Sequence, residues 1–491
     1  FHFSFLTVLL SYNHMNSNTI FLTLLLTLGL SFNTYAQKED LVIKNIEANT
    51  ATYADAAMQI WNFAEMGYQE YKSSALLIQI LKDAGFTITP GVAGMPTAFI
   101  AEYGSGHPII GILGEYDALP GLSQVAMPEQ KPITDGAPGH GCGHHLFGVG
   151  SAASAIAISE WLTKTKTPGT IRFYGTPAEE GGGGKTYMVK AGLFDDVDAV
   201  LHWHPSSGNS ADASSSLANM SAKFRFYGVA AHASGAPQFG RSALDGVESM
   251  NYMVNMMREH IPQESRIHYV ITKGGDAPNI VPAFAEVFYY CRHPDMAMVK
   301  QNFAWIVKAA EGAAMGTQTR MDYEVIHGLY NVKPNETLSR VMNKNLNLLG
   351  GYTYTPEEQA FAEKIQETLV APSNLANTNM VAPFKIEEDG KGGSTDVGDV
   401  SWVVPTAGLW VATWVPGTSG HSWQAVAAGG TSIGTKGMIL AAKTMALTAV
   451  DLYKNPATIA AAKEELLRRR GPDFKYVPLI GDRNPPLDYR N

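Results

Sequence analysis

The 491-residue chain contains only two cysteines, Cys142 and Cys291, so it lacks the disulfide framework that stabilises many small exported domains. Two cysteines could still pair in one disulfide. Cys142, however, stands among glycines and histidines, where a small apolar side chain has little packing reason to occur. A metal ligand must be a thiolate, and a disulfide would destroy it. We therefore predict that Cys142 binds metal and is not paired with Cys291.

The chain also lacks an excess of positive charge. It has 36 Lys and Arg against 45 Asp and Glu, which gives a formal net charge of −9. The one dense basic cluster, residues 463–470, includes two glutamates and is typical of a solvated helix face. Nucleic acid is therefore not expected as a partner. A composition of 45% hydrophobic and 16% charged residues indicates a globular protein, and its length predicts two or more domains.

The first 36 residues contain no Asp, Glu, Lys or Arg. An apolar core over residues 20–31 is too short to span a bilayer, and the small residues Thr34 and Ala36 suit cleavage by signal peptidase. The positive charge that usually precedes such a core is missing, and we expect Met15 to be the true start. The sequence thus predicts a cleaved leader over residues 1–36, export of the mature chain and no stable membrane span. A retained amphiphilic leader is the alternative.

Strand-like apolar runs alternate with helical patterns after the leader. Helices are predicted over residues 43–66, 73–84 and 145–163, and strands over residues 98–102, 108–114, 170–175 and 197–201. This alternation predicts an α/β fold with a mostly parallel sheet, in which ligands gather at the carboxyl ends of the strands. The candidate ligands found up to this point of the chain lie just after such runs.

The pattern changes near residue 217. Strands over residues 221–227, 267–272, 285–291 and 320–326, with helices over 242–259 and 299–314, predict a small ferredoxin-like α+β domain inserted into the catalytic domain. The α/β pattern returns from residue 334. We therefore predict a catalytic domain in two parts, residues 37–217 and 333–491 with a C-terminal tail, interrupted by an inserted domain over residues 218–332.

Two short segments carry the chemistry. In the first, Cys142 and His144 place a thiolate and an imidazole on one turn, a combination that suits zinc. His140 and His145, on the same segment, are expected to be structural or to support the ligands. The second segment, about thirty-five residues downstream, carries the adjacent carboxylates Glu179 and Glu180 at the end of a predicted strand. Together the two segments predict a metallohydrolase.

Glu179 and Glu180 are expected to point in different directions, so that one binds metal while the other acts as general base. A solvated acidic loop is the alternative. The four glycines that follow could suggest a phosphate-binding loop, but the spacing to Lys185 does not fit that motif, and nucleotide binding is not expected.

Further histidines and one aspartate complete the candidate set. His202 and His204 lie two apart at a predicted strand end, and we expect them to face opposite ways, so that only one reaches the metal. Asp117 could fix the tautomer of a ligating histidine. His421, in a loop rich in glycine and serine, is a plausible distant ligand.

Five motifs occur in order along the chain: residues 115–120 (EYDALP), 141–144 (GCGH), 177–184 (PAEEGGGG), 231–234 (AHAS) and 279–282 (NIVP). Together they resemble the aminoacylase/carboxypeptidase family of dinuclear metallohydrolases, metallopeptidase family twenty. Within that family the chain is most similar to the amidohydrolases of hippurate and of indole-acetyl amino acids. The resemblance covers nearly everything after the leader.

The resemblance implies a role for each matching position. It implies metal ligands at Cys142, His144, Glu180, His204 and His421 and a general base at Glu179, with Asp117 orienting the site. His232, on the inserted domain, matches a histidine that reaches the partner subunit's active site and stabilises the oxyanion. Asn279 and Arg292 match polar positions near the substrate's carboxylate. One departure is His145, where the branch usually has Asp or Asn, and this is expected to alter ligand or metal preference.

The sequence and the resemblance together predict hydrolysis of the amide between an acyl or aroyl group and an amino acid, using two divalent ions, Zn or Mn. A small-molecule N-acyl amino acid similar to p-aminobenzoyl-glutamate is the favoured substrate. A homodimer is expected, with a heteromer of this chain and a related chain as the alternative. Other candidate functions are a dipeptidase or carboxypeptidase of the same family, a metal-dependent phosphoesterase, whose ligands would be richer in Asp, and a non-catalytic binding homologue.

Overall fold

Two main sheets organise the part of the chain that the structure, a computed structural model, describes: residues 41–390 and 392–490. The predicted leader lies outside these residues. The strands are β1 (Thr87–Pro90), β2 (Phe99–Ser105), β3 (Ile109–Gly114), β4 (Gly169–Gly175), β5 (Ala199–Ser206), β6 (Ala213–Ser214), β7 (Ala218–Tyr227), β8 (Arg266–Lys273), β9 (Phe284–His293), β10 (Arg320–Leu329), β11 (Ile386–Glu387) and β12 (Thr406–Ala412).

Helices cover both sheets. They are α1 (41–48), α2 (Thr50–Phe63), α3 (Tyr71–Asp83), α4 (His144–Thr165), α5 (Gly184–Lys190), α6 (Ala243–Met257), α7 (Met296–Thr317), α8 (Glu336–Leu349), α9 (Pro356–Gln366), α10 (Val397–Val403), α11 (Trp423–Gly429), α12 (Ser432–Lys454) and α13 (Pro456–Arg470).

The larger sheet has six strands in the order β1-β2-β4-β3-β5-β12. β4, β3, β5 and β12 are parallel, and β1 and β2 are joined antiparallel at one edge. The carboxyl ends of the parallel strands therefore meet at one edge of the sheet, which is where an open α/β sheet holds its ligands. The predicted fold class is confirmed for this part of the chain.

Helix α4 lies at the centre of the catalytic domain. It packs against β3, β4 and β5 on one side and against α12 on the other. Most of its residues are buried, and a helix that is covered by protein on nearly all sides is apolar on nearly all sides. By length and composition alone α4 could also cross a membrane, but 83% of its most apolar window is buried inside the protein. Internal packing accounts for that apolar surface.

The smaller sheet has four antiparallel strands in the order β10-β7-β9-β8. With α6 after β7 and α7 after β9, the chain order is β-α-β-β-α-β, as in the predicted ferredoxin-like insert. Both helices cover one face of this sheet, where Phe224, Val287 and Ile306 form part of a separate core. The first and last strands of the insert, β7 and β10, pair with each other. The exact domain boundaries stay predictions.

The predicted helix over residues 43–66 was wrong in detail. It is divided at Asn49, which lies in a turn between α1 and α2, and it ends at Phe63. The Asn49 amide donates to the carbonyl of Asn45, a local hydrogen bond with which asparagine competes with a continuous helix. Ala64 then adopts φ +43°, which ends α2.

Candidate metal centre

The first group of candidate ligands lies where α4 begins, at the carboxyl ends of β3, β4 and β5. Cys142, His144 and His204 each bring one ligand atom within 4.8 Å of the others, and Cys142 Sγ lies 3.4 Å from His204 Nε2. His204 Nδ1 is 2.7 Å from the carbonyl of Pro205, to which it donates in the neutral tautomer. Its Nε2 therefore keeps a lone pair directed at the group, as a metal ligand requires.

A second group shares the same cysteine. Cys142, Glu180 and His421 also bring ligand atoms within 4.8 Å of one another, and His421 Nε2 lies 3.0 Å from Glu180 Oε1. The loop that carries His421 is fixed where its backbone N–H donates to the carbonyl of Gly141. Because Cys142 belongs to both groups, its thiolate could contact two cations at once.

The two adjacent carboxylates belong to different groups. Glu180 lies with Cys142 and His421, whereas Glu179 lies with Glu115 and His144. The structure thus agrees with the expectation that their side chains point in different directions. It does so on a turn whose backbone is unusual, because Ala178 has φ +57° and Gly181 has φ +87°.

Asp117 links the segment that carries His144 to the turn that carries Glu180. Its Oδ1 lies 2.9 Å from His144 Nδ1, and its Oδ2 accepts a hydrogen bond from the backbone N–H of Glu180. Burial would raise the pKa of Asp117, but His144, the backbone N–H of Glu180 and Lys185 together hold that pKa below its usual value. Asp117 therefore fixes the tautomer of one candidate ligand and the position of another.

A buried cation lies behind this centre. Lys185, at the start of α5, has a fully buried side chain whose Nζ is 2.6 Å from Glu115 Oε1 and 2.7 Å from Asp396 Oδ1. Burial alone would lower the pKa of Lys185, but the two carboxylates raise it above its usual value. Glu115 in turn approaches His144, with Oε2 3.0 Å from Nε2.

The donor set fits divalent cations. Glu180 Oε1, His144 Nε2 and Glu115 Oε2 are buried and lie 3.0 Å from another side chain of the centre without the geometry of a hydrogen bond, and their residues belong to the groups described above. Burial, followed by the nearby Glu180, raises the pKa of Cys142 well above its usual value, so its thiolate needs a cation beside it. Burial, followed by Glu115 and Glu180, likewise raises the pKa of Glu179. A dense cluster of buried anionic groups is an environment that stabilises bound cations.

His140 and His145 lie beside the centre and contact it only indirectly. Their Nε2 atoms lie 3.0 Å from the carbonyl of Ile60 and 3.1 Å from that of Gly429, respectively. Burial lowers the pKa of His140 to about 3, so that it is a neutral, structural histidine. His145 is also fully buried, and burial lowers its pKa well below the usual value.

The expectation that His202 and His204 face opposite ways was wrong. The strand continues through both residues, and positions two apart on a strand share a face. They differ instead in their position along β5, because His202 pairs with Gly408 and His204 pairs with Trp410, nearer the carboxyl end of the strand. His204 therefore reaches Cys142, whereas His202 lies further back.

The structure does not join His232 and Asn279 to the metal groups. Both are exposed on the inserted domain, where the backbone N–H of Ala233 donates to the carbonyl of Asn279. His232 Nδ1 accepts hydrogen bonds from the backbone N–H groups of Ser234 and Gly235. Its Nε2 must then carry the proton of the neutral ring, so that His232 presents a donor to the outside.

Arg292, on β9 of the inserted domain, lies near the turn that carries Glu179 and Glu180. It lines a cavity of about 1180 Å³ between β8 and β9 of the inserted domain and residues of the catalytic domain such as Trp402 and Arg469, and its buried Nε has no hydrogen-bond partner. It lies beside His327, whose pKa is lowered to about 4 chiefly by burial and secondarily by this guanidinium. His327 lies against Gly183 on the turn that follows Glu180. The side chain of His327 therefore lies between Arg292 and that turn.

Sequence reasoning missed Glu115, Lys185 and Asp396. Glu115 follows β3 directly. The expectation that polar residues just after a strand lie near the ligands therefore applies to Glu115 as it does to Asp117. Lys185 and Asp396 gave no local signal, because their partners lie at least 70 residues away in the chain and a lysine is normally exposed.

Comparisons with known proteins agree with this geometry. Residues 111–422 match the model of peptidase family M20/M25/M40. The chain is 43% identical to one of the two named subunits of p-aminobenzoyl-glutamate hydrolase of Escherichia coli (strain K12), over 86% of this chain and 93% of that protein. It is 31% identical to a Xaa-Arg dipeptidase of Mus musculus, over 83% of this chain and 86% of that protein.

A solved structure shows the same fold. The Bacillus subtilis YXEP protein, described as a dinuclear metal-binding peptidase from the M20 family, matches with a TM-score of 0.56 at 17% identity. The match covers 83% of this chain and 99% of that one.

Proposed function

Because the chain belongs to peptidase family M20/M25/M40 and is a metal-dependent amide hydrolase, we propose that it cleaves p-aminobenzoyl-glutamate or a closely similar N-aroyl amino acid. One observation carries this proposal: Glu179 and Glu180 diverge from a single turn into two different groups, Glu179 with Glu115 and His144 and Glu180 with Cys142 and His421. Substrate choice rests on the 43% identity to a hydrolase of that name.

Cys142, His144, Glu180, His204 and His421 would hold two cations. When bound, such cations polarise a carbonyl and lower the pKa of a water molecule. Thiolate and imidazole ligands favour zinc, whereas a site that also contains carboxylate ligands accepts manganese. We propose that either ion supports turnover, with the preference measured by reloading the metal-free protein.

Glu179 is the proposed general base. Its raised pKa suits a group that takes a proton from the attacking water and returns it to the departing amine nitrogen. The water oxygen forms the new bond to the carbonyl carbon, the C–N bond breaks, and the products are a carboxylic acid and an amine. Asp117 keeps the turn in place while the proton moves.

The amino-acid part of the substrate carries carboxylates that need cationic partners. Arg292 and Arg266 are paired across β9 and β8, and both line the cavity beside the inserted domain together with Lys333. Arg266 already donates to two backbone carbonyls, whereas the buried Nε of Arg292 has no partner. We therefore propose Arg292 as the main carboxylate-binding residue, with Asn279 beside the substrate as the resemblance implies.

Glu179→Gln tests the mechanism. The variant keeps the size and shape of the side chain but cannot take a proton, so that turnover should fall by about 10²–10⁴-fold while metal content is unchanged. Glu363→Gln, on the exposed surface of α9, is the matched control and should keep full activity. Full turnover by metal-loaded Glu179→Gln would exclude this role.

A substrate panel tests the function itself. Purified, metal-loaded protein is assayed on p-aminobenzoyl-glutamate, hippurate, several N-acyl amino acids and Xaa-Arg dipeptides. Faster hydrolysis of a dipeptide than of any aroyl amino acid would favour the dipeptidase alternative, which has the lower identity of 31%. A non-catalytic homologue is less favoured, because the proposed base and all five proposed ligands are in place.

We further propose that the inserted domain forms a dimer and that His232 acts in the partner's site. The outer strand β8 and helix α6 expose Tyr252, Met256 and Val270, an apolar surface of the kind that subunits cover. Glu179→Gln mixed with His232→Ala should regain activity that each lacks alone, because one mixed site per dimer is intact. No recovery after subunit exchange would contradict this arrangement.

A heteromer with a related chain is the second candidate assembly. The hydrolase with 43% identity is named as one subunit of a two-subunit enzyme, and its companion from the same organism is 25% identical over 53% of this chain. Turnover by the purified chain alone would favour the homodimer. Turnover only after addition of a related second chain would favour the heteromer.

We also propose export of the mature chain, which rests on the composition of the first 36 residues alone. Sequencing the amino terminus of protein recovered from outside the cytoplasm tests it. An amino terminus close to Gln37 is the expected result.

A further inference from the structure

The segment after α13, residues 471–490, crosses from the catalytic domain over the inserted domain. The Tyr330 hydroxyl donates to the carbonyl of Val477, and Leu479 and Ile480 are buried. Arg483 then donates to the carbonyls of Val325 and Ile326 on β10, at 2.9 and 2.7 Å. The segment is thus held along its length by side chains and backbone of both domains.

Its last described residues end on the turn that carries Glu179 and Glu180. The Tyr489 hydroxyl donates to the carbonyl of Glu180 at 2.9 Å, and Arg490 Nη2 donates to the same carbonyl at 2.7 Å. The Tyr489 ring packs edge-on against Tyr68, with 5.6 Å between ring centroids. Tyr68 donates in turn to the carbonyl of Gly182. Two packed tyrosines therefore hold successive parts of this turn.

The turn needs such support because its backbone is strained. Ala178 is a non-glycine residue at φ +57°, a conformation that costs free energy unless the surroundings fix it. Two backbone N–H groups of the turn donate to carboxylates: that of Ala178 to Glu70 and that of Glu180 to Asp117. Tyr489 and Arg490 supply the hydrogen bonds to the carbonyl of Glu180, and they come from a segment some 310 residues away.

We propose that Tyr489 and Arg490 are positioning residues that hold the catalytic turn, so that Glu179 and Glu180 keep their separate directions. This inference rests on the proposed function for its effect on turnover. Its effect on the turn itself does not, because the hydrogen bonds join parts of this chain alone.

The test uses Tyr489→Phe, Arg490→Gln and the double variant of the full chain. Loss of one such hydrogen bond should lower kcat about tenfold. KM should change less than about twofold, since the hydrogen bonds that are lost go to the backbone of the turn and not to the proposed carboxylate-binding residues. Arg490→Lys keeps a cationic donor and should recover part of the loss. In metal-free protein, hydrogen exchange at the amides of residues 179–184 should be faster in the double variant.

Tyr330→Phe is the matched control. It also removes a tyrosine hydroxyl that donates to a backbone carbonyl of this segment, but away from the turn. It should leave kcat and the exchange rates of the turn unchanged. An equal effect in Tyr330→Phe would overturn the inference, because the segment would then act only through overall stability.

The two proposals can fail separately. Unchanged kcat and unchanged exchange in the double variant would overturn the positioning role. If the wild-type chain hydrolysed none of the amides, while exchange at the turn rose in the double variant and not in Tyr330→Phe, the proposed function would fail and the positioning role would stand.

Discussion

Replacing Lys185 with methionine should destabilise the protein far more than loss of an ordinary ion pair. Lys185 and its two partners, Glu115 and Asp396, have side chains no more than 1% exposed. Methionine keeps much of the apolar stem but removes the charge, which leaves two buried carboxylates without their cation. Breaking a buried pair in this way costs about 3–5 kcal/mol of folding free energy.

Urea unfolding of the metal-free protein at pH 7 measures this loss. The control is Lys443→Met, which breaks a pair of the same length, 2.6 Å, between Lys443 and the half-exposed Glu47. Surface pairs contribute about 0–1 kcal/mol, so the control should lose little. Adding Asp396→Asn to Lys185→Met should recover part of the loss, because one of the two unpaired carboxylates becomes neutral.

Equal losses in Lys185→Met and Lys443→Met would refute the reasoning. That result would mean that water or a proton compensates the buried carboxylates as well as the lysine does.

Three further predictions concern metal, pH and packing. Cys142→Ser should lower bound metal at both sites, whereas His204→Gln should lower it at one, as metal analysis after dialysis will show; equal losses would mean that the thiolate is not shared. Burial raises the pKa of Asp399 to about 7 from 3.8. Between about pH 4 and pH 7 the unfolded chain therefore loses a proton that the folded chain keeps. In this range the contribution of Asp399 to the free energy of unfolding falls as pH rises. Asp399→Asn should flatten that part of the profile of Tm against pH, and parallel profiles would contradict the assignment. Gly148→Ala should lower the free energy of unfolding by about 1–3 kcal/mol, measured by thermal unfolding, because its new methyl group would lie 2.7 Å from the carbonyl of Glu115. A gain in stability, as at an ordinary helix position, would show that α4 can shift to accommodate the methyl group.

Local patterns were enough to predict the secondary structure of most of the fold. Alternation of apolar runs with helical periodicity predicted the parallel sheet and the ferredoxin-like insert, because both periods are set by which face is buried. The division at Asn49 was missed, since its cause is one side-chain hydrogen bond that periodicity does not detect. The family and the class of reaction were also predicted correctly, from ordered motifs.

The candidate site was predictable mainly where ligand-type residues stand close together in the sequence. Cys142 and His144, on the turn before α4, and Glu179, on the turn after β4, could be found because each segment carries two such residues. Lys185 could not, because its role depends on partners brought close only by folding. The same holds for Tyr489, which belongs to a segment with no motif and meets the turn across some 300 residues.

The pairing of β7 with β10 has a consequence for how the molecule is built and for how it could change. Asn219 and Leu329 are direct partners in this ladder, so the inserted chain leaves and re-enters the catalytic domain at neighbouring points. Most of its core lies between Ala218 and Tyr330 and can form before the distant strand β12 completes the larger sheet, whereas Trp402 and Leu479 of the catalytic domain join that core later. Exchange of the whole insert between relatives would therefore change the surface proposed for dimer formation while leaving the strands of the catalytic sheet intact.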